Sequence, residues 1–319
     1  MKETILICGA TGFLGRNILE HYWKLGKYNI KATYHNRPPL KDYTEVEWIK
    51  CDLRKFDDVK NALSNVDIIF QFAATTSGAK DILSCPYIHV TDNAVMNSII
   101  LREAFEQKIK HFIFPSCTVM YQSSENLIKE SDFNPNEDMN EIYFGAGHTK
   151  VYLENMCKFY SKFDRTKFTV IRHSNIYGPY DKYDLEKSHV FGATVTKVMN
   201  AVNNKVTVWG EGLEKRDLLY VDDFISFIET AIEKQKSNFE IFNVGLGEFV
   251  RIKDLVDKII FHGKINLEVL HDLSKPSIQT SIGLDCSKAK ILLGWSPEYS
   301  LDDGIVKTLN WYRKWKATV

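Results

Sequence analysis

The first apolar run of the chain, Ile5, Leu6, Ile7 and Cys8, is short and is closed by Gly9. A run of that length between turn residues reads as a buried strand. Behind it Phe13, Ile18, Leu19, Tyr22 and Leu25 recur at helical spacing, and Gly26 ends the pattern. The alternation then repeats. Asn29–Tyr34 and Glu47–Lys50 read as strands, residues 57–63 as helix and residues 67–72 as strand. A helix over 91–105 and strands over 111–114 and 168–172 follow. Beyond Tyr177 the loops lengthen. Residues 179–187 are polar and charged, and residues 264–283 are mostly irregular with a strand-like patch at 267–270. A short strand at 206–209 and amphipathic segments near 191–202, 224–232 and 301–315 complete the pattern. Strands alternating with helices predict an α/β fold, a Rossmann doubly wound parallel sheet with a smaller interleaved C-terminal lobe. We place the dinucleotide-binding core at 1–175 and the substrate-binding lobe mainly at 176–319. Ligands in such sheets lie outside the carboxyl ends of the strands.

Composition narrows the function classes. Among 319 residues, 44% are apolar, which argues for a substantial core. The 41 basic and 41 acidic residues cancel, and no long basic run points to nucleic acid. No stretch of about twenty apolar residues predicts a membrane span. The first strand starts almost at once, so no signal peptide is expected and the location is read as cytoplasmic. Cys8, Cys51, Cys85, Cys117, Cys157 and Cys286 are scattered without a Cys-x-x-Cys pair. That suits reduced thiols, with neither a disulfide framework nor a metal site expected.

The chemistry is concentrated first around Gly9, Gly12 and Gly15. After a strand and before a helix, Gly9 suits the tight turn and Gly12 lets backbone approach a pyrophosphate. Gly15 lets helix and strand pack closely, and the helix N-terminus offers free N–H groups to the anion. Thr11, Phe13 and Leu14 belong to the same phosphate-facing turn. The second strand ends in Tyr34, His35, Asn36 and Arg37, without the acid that holds the 2′-hydroxyl of NAD. A fixed cation there favours NADP, with NAD as the alternative; the other reading of Arg37 is a plain loop charge. Asp52, followed by Leu53, either accepts from the adenine amine or caps the next helix. Phe72, Ala73 and Ala74 stand where small residues let a ribose approach.

The chain resembles the extended short-chain dehydrogenase/reductase family of NAD-dependent nucleotide-sugar epimerases, dehydratases and reductases. The resemblance covers nearly the whole length. It rests on GATGFLG from Gly9, CDL from Cys51, FIFPSCTVMY from Phe112 and RHSNIYGP from Arg172, and on WGEGLEKRDLLYVDD from Trp209 and SKAKILLGWSP from Ser287. A KSHV run from Lys187 also looks like the matching segment of GDP-fucose synthases. The resemblance implies hydride transfer at C4 of a nucleoside diphosphate sugar, by an epimerase or reductase. It implies a Tyr that exchanges a proton with the sugar hydroxyl and a Lys four residues later that favours the phenolate. It also implies a Ser or Thr hydroxyl, sugar-nucleotide contacts from Asn175 and Arg216, and a homodimer built on the helices near 91–105 and 150–163. Dehydratases of the family add an Asp-Glu pair where Val119 and Met120 stand, so dehydration is not expected.

Lys150 matches the family lysine, but Ala146 stands four residues before it. Tyr143, seven residues before Lys150, is our candidate for the missing phenol. Spacing of seven keeps it on the same helix face, and Gly145 and Gly147 allow a bend between them. His148 is the competing proton carrier. The usual hydroxyl position falls on Cys117, leaving Thr118 or Ser116 to supply the hydroxyl. By resemblance to GDP-fucose synthases Cys117 is a weak acid; its plain reading is a small buried residue. His189 either approaches the sugar or is a solvated loop histidine. A protein that kept the dinucleotide site without the tyrosine could instead be a non-catalytic sensor; Lys150, Asn175 and Arg216 weigh for the enzyme.

Overall fold

The computed structural model describes residues 2–40, 42–75, 85–185, 188–274 and 280–318. Lys187, which opens the KSHV run, lies outside them. Seven strands form the central sheet: β1 (Thr4–Cys8), β2 (Asn29–Tyr34), β3 (Glu47–Lys50), β4 (Ile68–Gln71), β5 (His111–Pro115), β6 (Lys167–His173) and β11 (Phe239–Val244). Their spatial order is β11-β6-β5-β4-β1-β2-β3, and every neighbouring pair is parallel. The order reverses between β1 and β4. That reversal opens the crevice in which open α/β sheets bind their ligands.

Two apolar layers sandwich the sheet, because its strands alternate buried side chains to both faces. On one face Ile5, Ile7 and Phe70 pack with Ile18, Leu19 and Tyr22 of α1 (Phe13–Leu25) and Phe224, Phe227 and Ile228 of α6 (Val221–Lys234). On the other, Leu6, Cys8, Ile69 and Phe112 pack with α2 (Phe56–Ala62), α3 (Thr91–Glu106) and α4 (Phe144–Ser161). Burying one leucine-sized side chain contributes about 1.5–3 kcal/mol, so these layers dominate the stability of the core.

The remaining elements interleave with this core. α5 (Val190–Met199), α7 (Ile252–Gly263), α8 (Ser287–Leu293) and α9 (Leu301–Lys316) accompany short strand pairings: β7 (Asn175–Tyr177) with β10 (Leu218–Tyr220), β8 (Lys205–Trp209) with β13 (Glu268–Asp272), and β9 (Lys215–Arg216) with β12 (Val250–Arg251) and β14 (Ser281–Ile282). Since β11 returns to the central sheet after β7–β10 have been laid down, the two parts share the C-terminal half of the chain. Most core elements expected from the sequence appear within a residue or two of their ends, while α6 begins three residues before the expected 224 and α4 six before the expected 150. In the lobe, β8 and β13 match the patches expected at 206–209 and 267–270, whereas β7, β9, β10, β12 and β14, with β11, α7 and α8, were not anticipated. A strand of two or three residues is too short to show a period, so only its partner defines it.

One expectation near the site is corrected. Gly145 and Gly147 do not bend the chain; α4 runs unbroken from Phe144 to Ser161. They are small because neighbours press close. A Cβ on Gly145 would lie 2.7 Å from Val90 Cγ2, and one on Gly147 2.6 Å from Met139 Sδ.

Candidate active site

The dinucleotide end is built by the turn from β1 into α1. Gly9 has φ +73°, and an added Cβ would sit 2.8 Å from the Ala73 backbone beyond β4. A Cβ on Gly15 would lie 2.2 Å from the Gly9 carbonyl oxygen. No side chain fits at either place, so the two strand ends and the helix start are drawn together. Thr33 of β2 locks the turn: its hydroxyl accepts from Gly9 N at 3.0 Å and its carbonyl from Ala10 N at 3.2 Å. Gly12 begins α1 without a side-chain cap, and no acid stands in the first turn. The first N–H groups of α1 are thereby kept for an outside anion. Opposite, Asn93 of α3 pins the segment after Ala73 and Ala74 by bonding both Thr75 N and Thr75 O at 3.0 Å. Phe72 packs on Phe224, ring centres 6.1 Å apart. This cradle fits a dinucleotide pyrophosphate.

Past β2, Arg37 is exposed and turns back over the glycine turn, donating to Thr11 O at 3.4 Å. His35 Nε2 lies 3.9 Å from Asp52 Oδ2. Asp52 does not cap α2, whose N-cap is Lys55. Its carboxylate instead grips Arg54 Nε at 2.9 Å and holds its own pKa down at about 2, through Arg54 first. Leu53 beside it is buried.

At the centre stands the start of α4. Lys150 donates to Pro115 O, the last residue of β5, at 2.8 Å, with its ammonium 4.8 Å from the Phe114 ring centre. Burial pulls its pKa down; Cys117 and Glu154 oppose that. Burial raises the Cys117 thiol, and Lys150 works against the rise. Tyr143 is the residue before α4, at the end of a 3₁₀ turn, Glu141–Tyr143. Its phenol is raised by burial; Arg216 lowers it and Cys117 adds to it. The cation that acts on Tyr143 is therefore Arg216, and Cys117 lies within the field of both Tyr143 and Lys150. His148 points outward: it is exposed and packs edge-on to Phe144, 4.5 Å away. Ser116 is buried and donates to Glu154 Oε1 at 2.6 Å, so its hydroxyl is committed to the core. Thr118 is half-buried.

The lobe supplies the remaining side chains. Asn175 opens β7 and donates from Nδ2 to Asp217 O at 3.2 Å. That bond ties it to the residue following Arg216. Arg216 NH1 donates to Lys215 O at 2.8 Å and also to Thr280 O. Asp217 anchors the loop, its carboxylate accepting from Leu246 N at 2.8 Å, Gly247 N at 3.0 Å and Leu284 N at 3.2 Å. His189 precedes α5 and is exposed, its pKa lowered by the surrounding protein and by Lys182.

Comparison with known proteins identifies the family and the fold. Residues 5–245 match the family described as the NAD dependent epimerase/dehydratase family. The chain belongs to that family. GDP-mannose 3,5-epimerase 1 of Oryza sativa subsp. indica is 27% identical over 98% of this chain and 82% of its own length. The GDP-L-fucose synthase of Azorhizobium caulinodans is 26% identical over 97% of this chain and 96% of its own. Among solved structures, the UDP-glucose 4-epimerase of Thermotoga maritima with UDP-glucose superposes with a TM-score of 0.86, at 23% identity, covering 98% of this chain and 99% of that one. The UDP-glucuronic acid 4-epimerase of Bacillus cereus gives 0.83 at 23% identity, covering 98% and 99%. These structural likenesses carry the doubly wound fold.

Within this epimerase/dehydratase fold, the sequence-expected residues fall into two groups. Gly9–Gly15, Phe72, Ala73 and Ala74 surround the crevice between β1 and β4. Lys150 lowers the Cys117 thiol, and Arg216 lowers and Cys117 raises the Tyr143 phenol, through their charges. His148 and Ser116 drop out, the first by orientation and the second by its bond to Glu154. Sequence reasoning missed Thr33, which locks the glycine turn from β2. Its signal exists only across strands. Among the described residues no group of three or more His, Cys, Asp or Glu is placed to hold a metal ion, and no helix is long and apolar enough to cross a membrane.

Proposed function

We propose that this protein is an NADP-dependent epimerase or reductase that transfers hydride at C4 of a nucleoside diphosphate sugar. The observation that carries this reading is Lys150, bonded to Pro115 O at the carboxyl end of β5, on the same edge of the parallel sheet as the uncapped glycine turn that follows β1. The names of the relatives, two of them GDP-sugar enzymes, support the nucleotide-sugar class. Family membership supports a nicotinamide dinucleotide. Arg37 over Thr11, with no acid closing β2, supports NADP.

A bound nicotinamide supplies the hydride acceptor or donor; the protein does the rest. Gly9, Gly12 and the first turn of α1, with Thr11, Phe13, Leu14 and Gly15, hold the pyrophosphate. His35, Asn36, Arg37, Asp52 and Leu53 surround the adenosine end, and Lys150 bonds the nicotinamide ribose. Arg216 and Asn175 hold the sugar nucleotide, a guanidinium being suited to two phosphate oxygens. Tyr143 exchanges the proton of the sugar hydroxyl, with Arg216 favouring its phenolate. Thr118 bonds the same hydroxyl, Cys117 is the weak acid beside it, and His189 closes over the sugar. The C–H electron pair leaves as hydride while the hydroxyl proton passes to the protein, and the sugar carbonyl forms.

The exposed face of α3 and α4 carries Val95, Tyr152 and Phe159, with Phe163 just beyond. This apolar face supports a homodimer built on these two helices. Mixing the purified protein with NADPH or NADP and a panel of sugar nucleotides tests the enzymatic reading. We expect the absorbance of reduced nicotinamide to change with one class of sugar nucleotide. Dinucleotide binding with neither a redox change nor conversion of any sugar nucleotide in the panel to a different sugar nucleotide would contradict it.

A further inference from the structure

We propose that Asn17 couples the two ligand sites, so that a seated dinucleotide tightens the binding of the sugar nucleotide. The inference rests on the function proposed above, which supplies the two ligands, and adds the link between them. Asn17 is buried in α1, one turn past Phe13. Its Nδ2 donates to Phe13 O at 2.9 Å and to Pro179 O at 2.8 Å. Both partners only accept, so the nitrogen of the amide faces them and both of its hydrogens are used. Phe13 opens the uncapped turn that is kept for the pyrophosphate. Pro179 stands two residues past β7. The first residue of β7, Asn175, bonds Asp217 O twice, from its backbone N at 3.1 Å and from Nδ2 at 3.2 Å. β7 then pairs with β10, Asn175 opposite Leu218 and Tyr177 opposite Tyr220. One side chain thus joins the first turn of the dinucleotide helix to the strand that carries Asn175 and is tied to the residue after Arg216.

The segment held in this way is strained. Tyr180, next to Pro179, has φ +67°, a left-handed conformation that is costly for a bulky side chain. Asp181 Oδ2 is buried and has no hydrogen-bond partner among the described residues. Such a conformation persists only while its surroundings hold it. The hold comes mainly from α1. Tyr180 Oη donates to Glu20 Oε2 at 2.8 Å, and the Arg16 guanidinium lies over the Tyr180 ring, 3.8 Å from its centre. Arg16, Asn17 and Glu20 stand within about one turn of the same helix. On the other side Tyr180 meets Trp311 of α9 edge-on, ring centres 5.1 Å apart, and Lys182 O accepts from Ser188 Oγ at 2.6 Å ahead of α5.

A pyrophosphate bonded to the N–H groups of the first turn fixes that turn, and with it Phe13 O, on which Asn17 rests. Asn17 then holds Pro179, and the costly conformation at Tyr180 and Asp181 is in place before the sugar nucleotide arrives. Without the dinucleotide the first turn frays, Asn17 lets go of Pro179 and the strained segment relaxes. Part of the sugar nucleotide's binding energy must then restore it. The coupling is reciprocal, so the sugar nucleotide tightens the dinucleotide by the same factor.

The test is titration calorimetry on the full chain with the oxidised dinucleotide, NADP or NAD, and the nucleoside diphosphate, GDP or UDP, that bind it more tightly. Neither ligand reacts with the other. In the unmodified protein the saturating dinucleotide is expected to lower the Kd of the diphosphate about fivefold or more. Asn17→Ala is expected to bring that ratio close to one, while each ligand titrated alone binds nearly as before. Tyr180→Phe leaves α1 untouched and removes only the bond to Glu20; it is expected to reduce the ratio as well. A ratio of one in the unmodified protein would overturn the coupling. So would an unchanged ratio in Asn17→Ala, including the case in which both separate affinities fall together, which would mark Asn17 as a support of α1 alone. Should Asn17→Ala fail to fold, Tyr180→Phe decides, an unchanged ratio again overturning the coupling. If the unmodified protein binds no such pair of ligands, the functional reading itself falls, and the coupling with it.

Discussion

At the scale of single residues, we propose Lys150 as the lysine that the family resemblance implies, with Ala146 standing four residues before it where that resemblance implies a phenol. Tyr143 is the candidate replacement, and removing its hydroxyl alone separates chemistry from folding. Tyr143→Phe is expected to bind dinucleotide and sugar nucleotide normally while kcat falls about 10²–10⁴-fold in steady-state assays. Full activity in that variant would move the proton carrier elsewhere. Arg216 faces both Tyr143 and the expected diphosphate. Arg216→Ala should weaken sugar-nucleotide binding by about 2–5 kcal/mol in calorimetry, with dinucleotide affinity nearly unchanged. An unaltered sugar-nucleotide affinity would remove Arg216 from the site. What was legible at this scale was whatever is written locally. Three glycines after a strand announce a phosphate turn because turn, close approach and helix start all lie within seven residues. Ser116 was a fair hydroxyl candidate by position, yet Glu154, thirty-eight residues on, takes its hydrogen. That pairing also engages Arg172, whose guanidinium meets Glu154 at 2.7 Å with both side chains buried. No local spacing reveals a bond made between a helix and a strand.

At the scale of elements, the core strands and helices were readable because each buries one or two faces of its own, and burial imposes a period. The lobe strands β9, β12 and β14 have no such period. They exist as a three-stranded patch because Arg216 pairs with both Val250 and Ile282. The two glycines at the start of α4 misled in another way. Helix propensity disfavours them by about 1 kcal/mol each, yet packing against Val90 and Met139 excludes any side chain there, and tertiary fit wins over propensity. The end of β2 carries the cofactor prediction. With Arg37 beside Thr11 and no acid in the loop, the unmodified protein is expected to bind NADPH more tightly than NADH, and Arg37→Ala should narrow the difference. Equal or tighter NADH binding by the unmodified protein, measured by titration calorimetry, would refute the preference.

For the whole molecule, the strand order places the switch point between β1 and β4. Loops from both halves of the sequence meet beside it: Asn17 of α1, just past the glycine turn, donates to Pro179 O at 2.8 Å. The opposite side of the core, formed by α3 and α4, leaves Tyr152 and Phe159 exposed and bonded only lightly, Ser98 Oγ lying 3.2 Å from Tyr152 Oη. If a second copy covers this face, Tyr152→Glu with Phe159→Glu should convert a dimer to a monomer in sedimentation equilibrium without loss of helix content. A monomer before substitution would end that proposal.

The central claim is that hydride moves between the C4 position of a nucleotide-linked sugar and a nicotinamide held over Lys150. The direct measurement is a single turnover with a sugar nucleotide deuterated at C4 and the oxidised dinucleotide, quenched and weighed by mass spectrometry. We predict that the dinucleotide gains one deuterium as the sugar loses it. Its later return to C4 from the dinucleotide is what an epimerase gives. Turnover during which the dinucleotide never carries the deuterium, or release of the deuterium to water, would contradict the account.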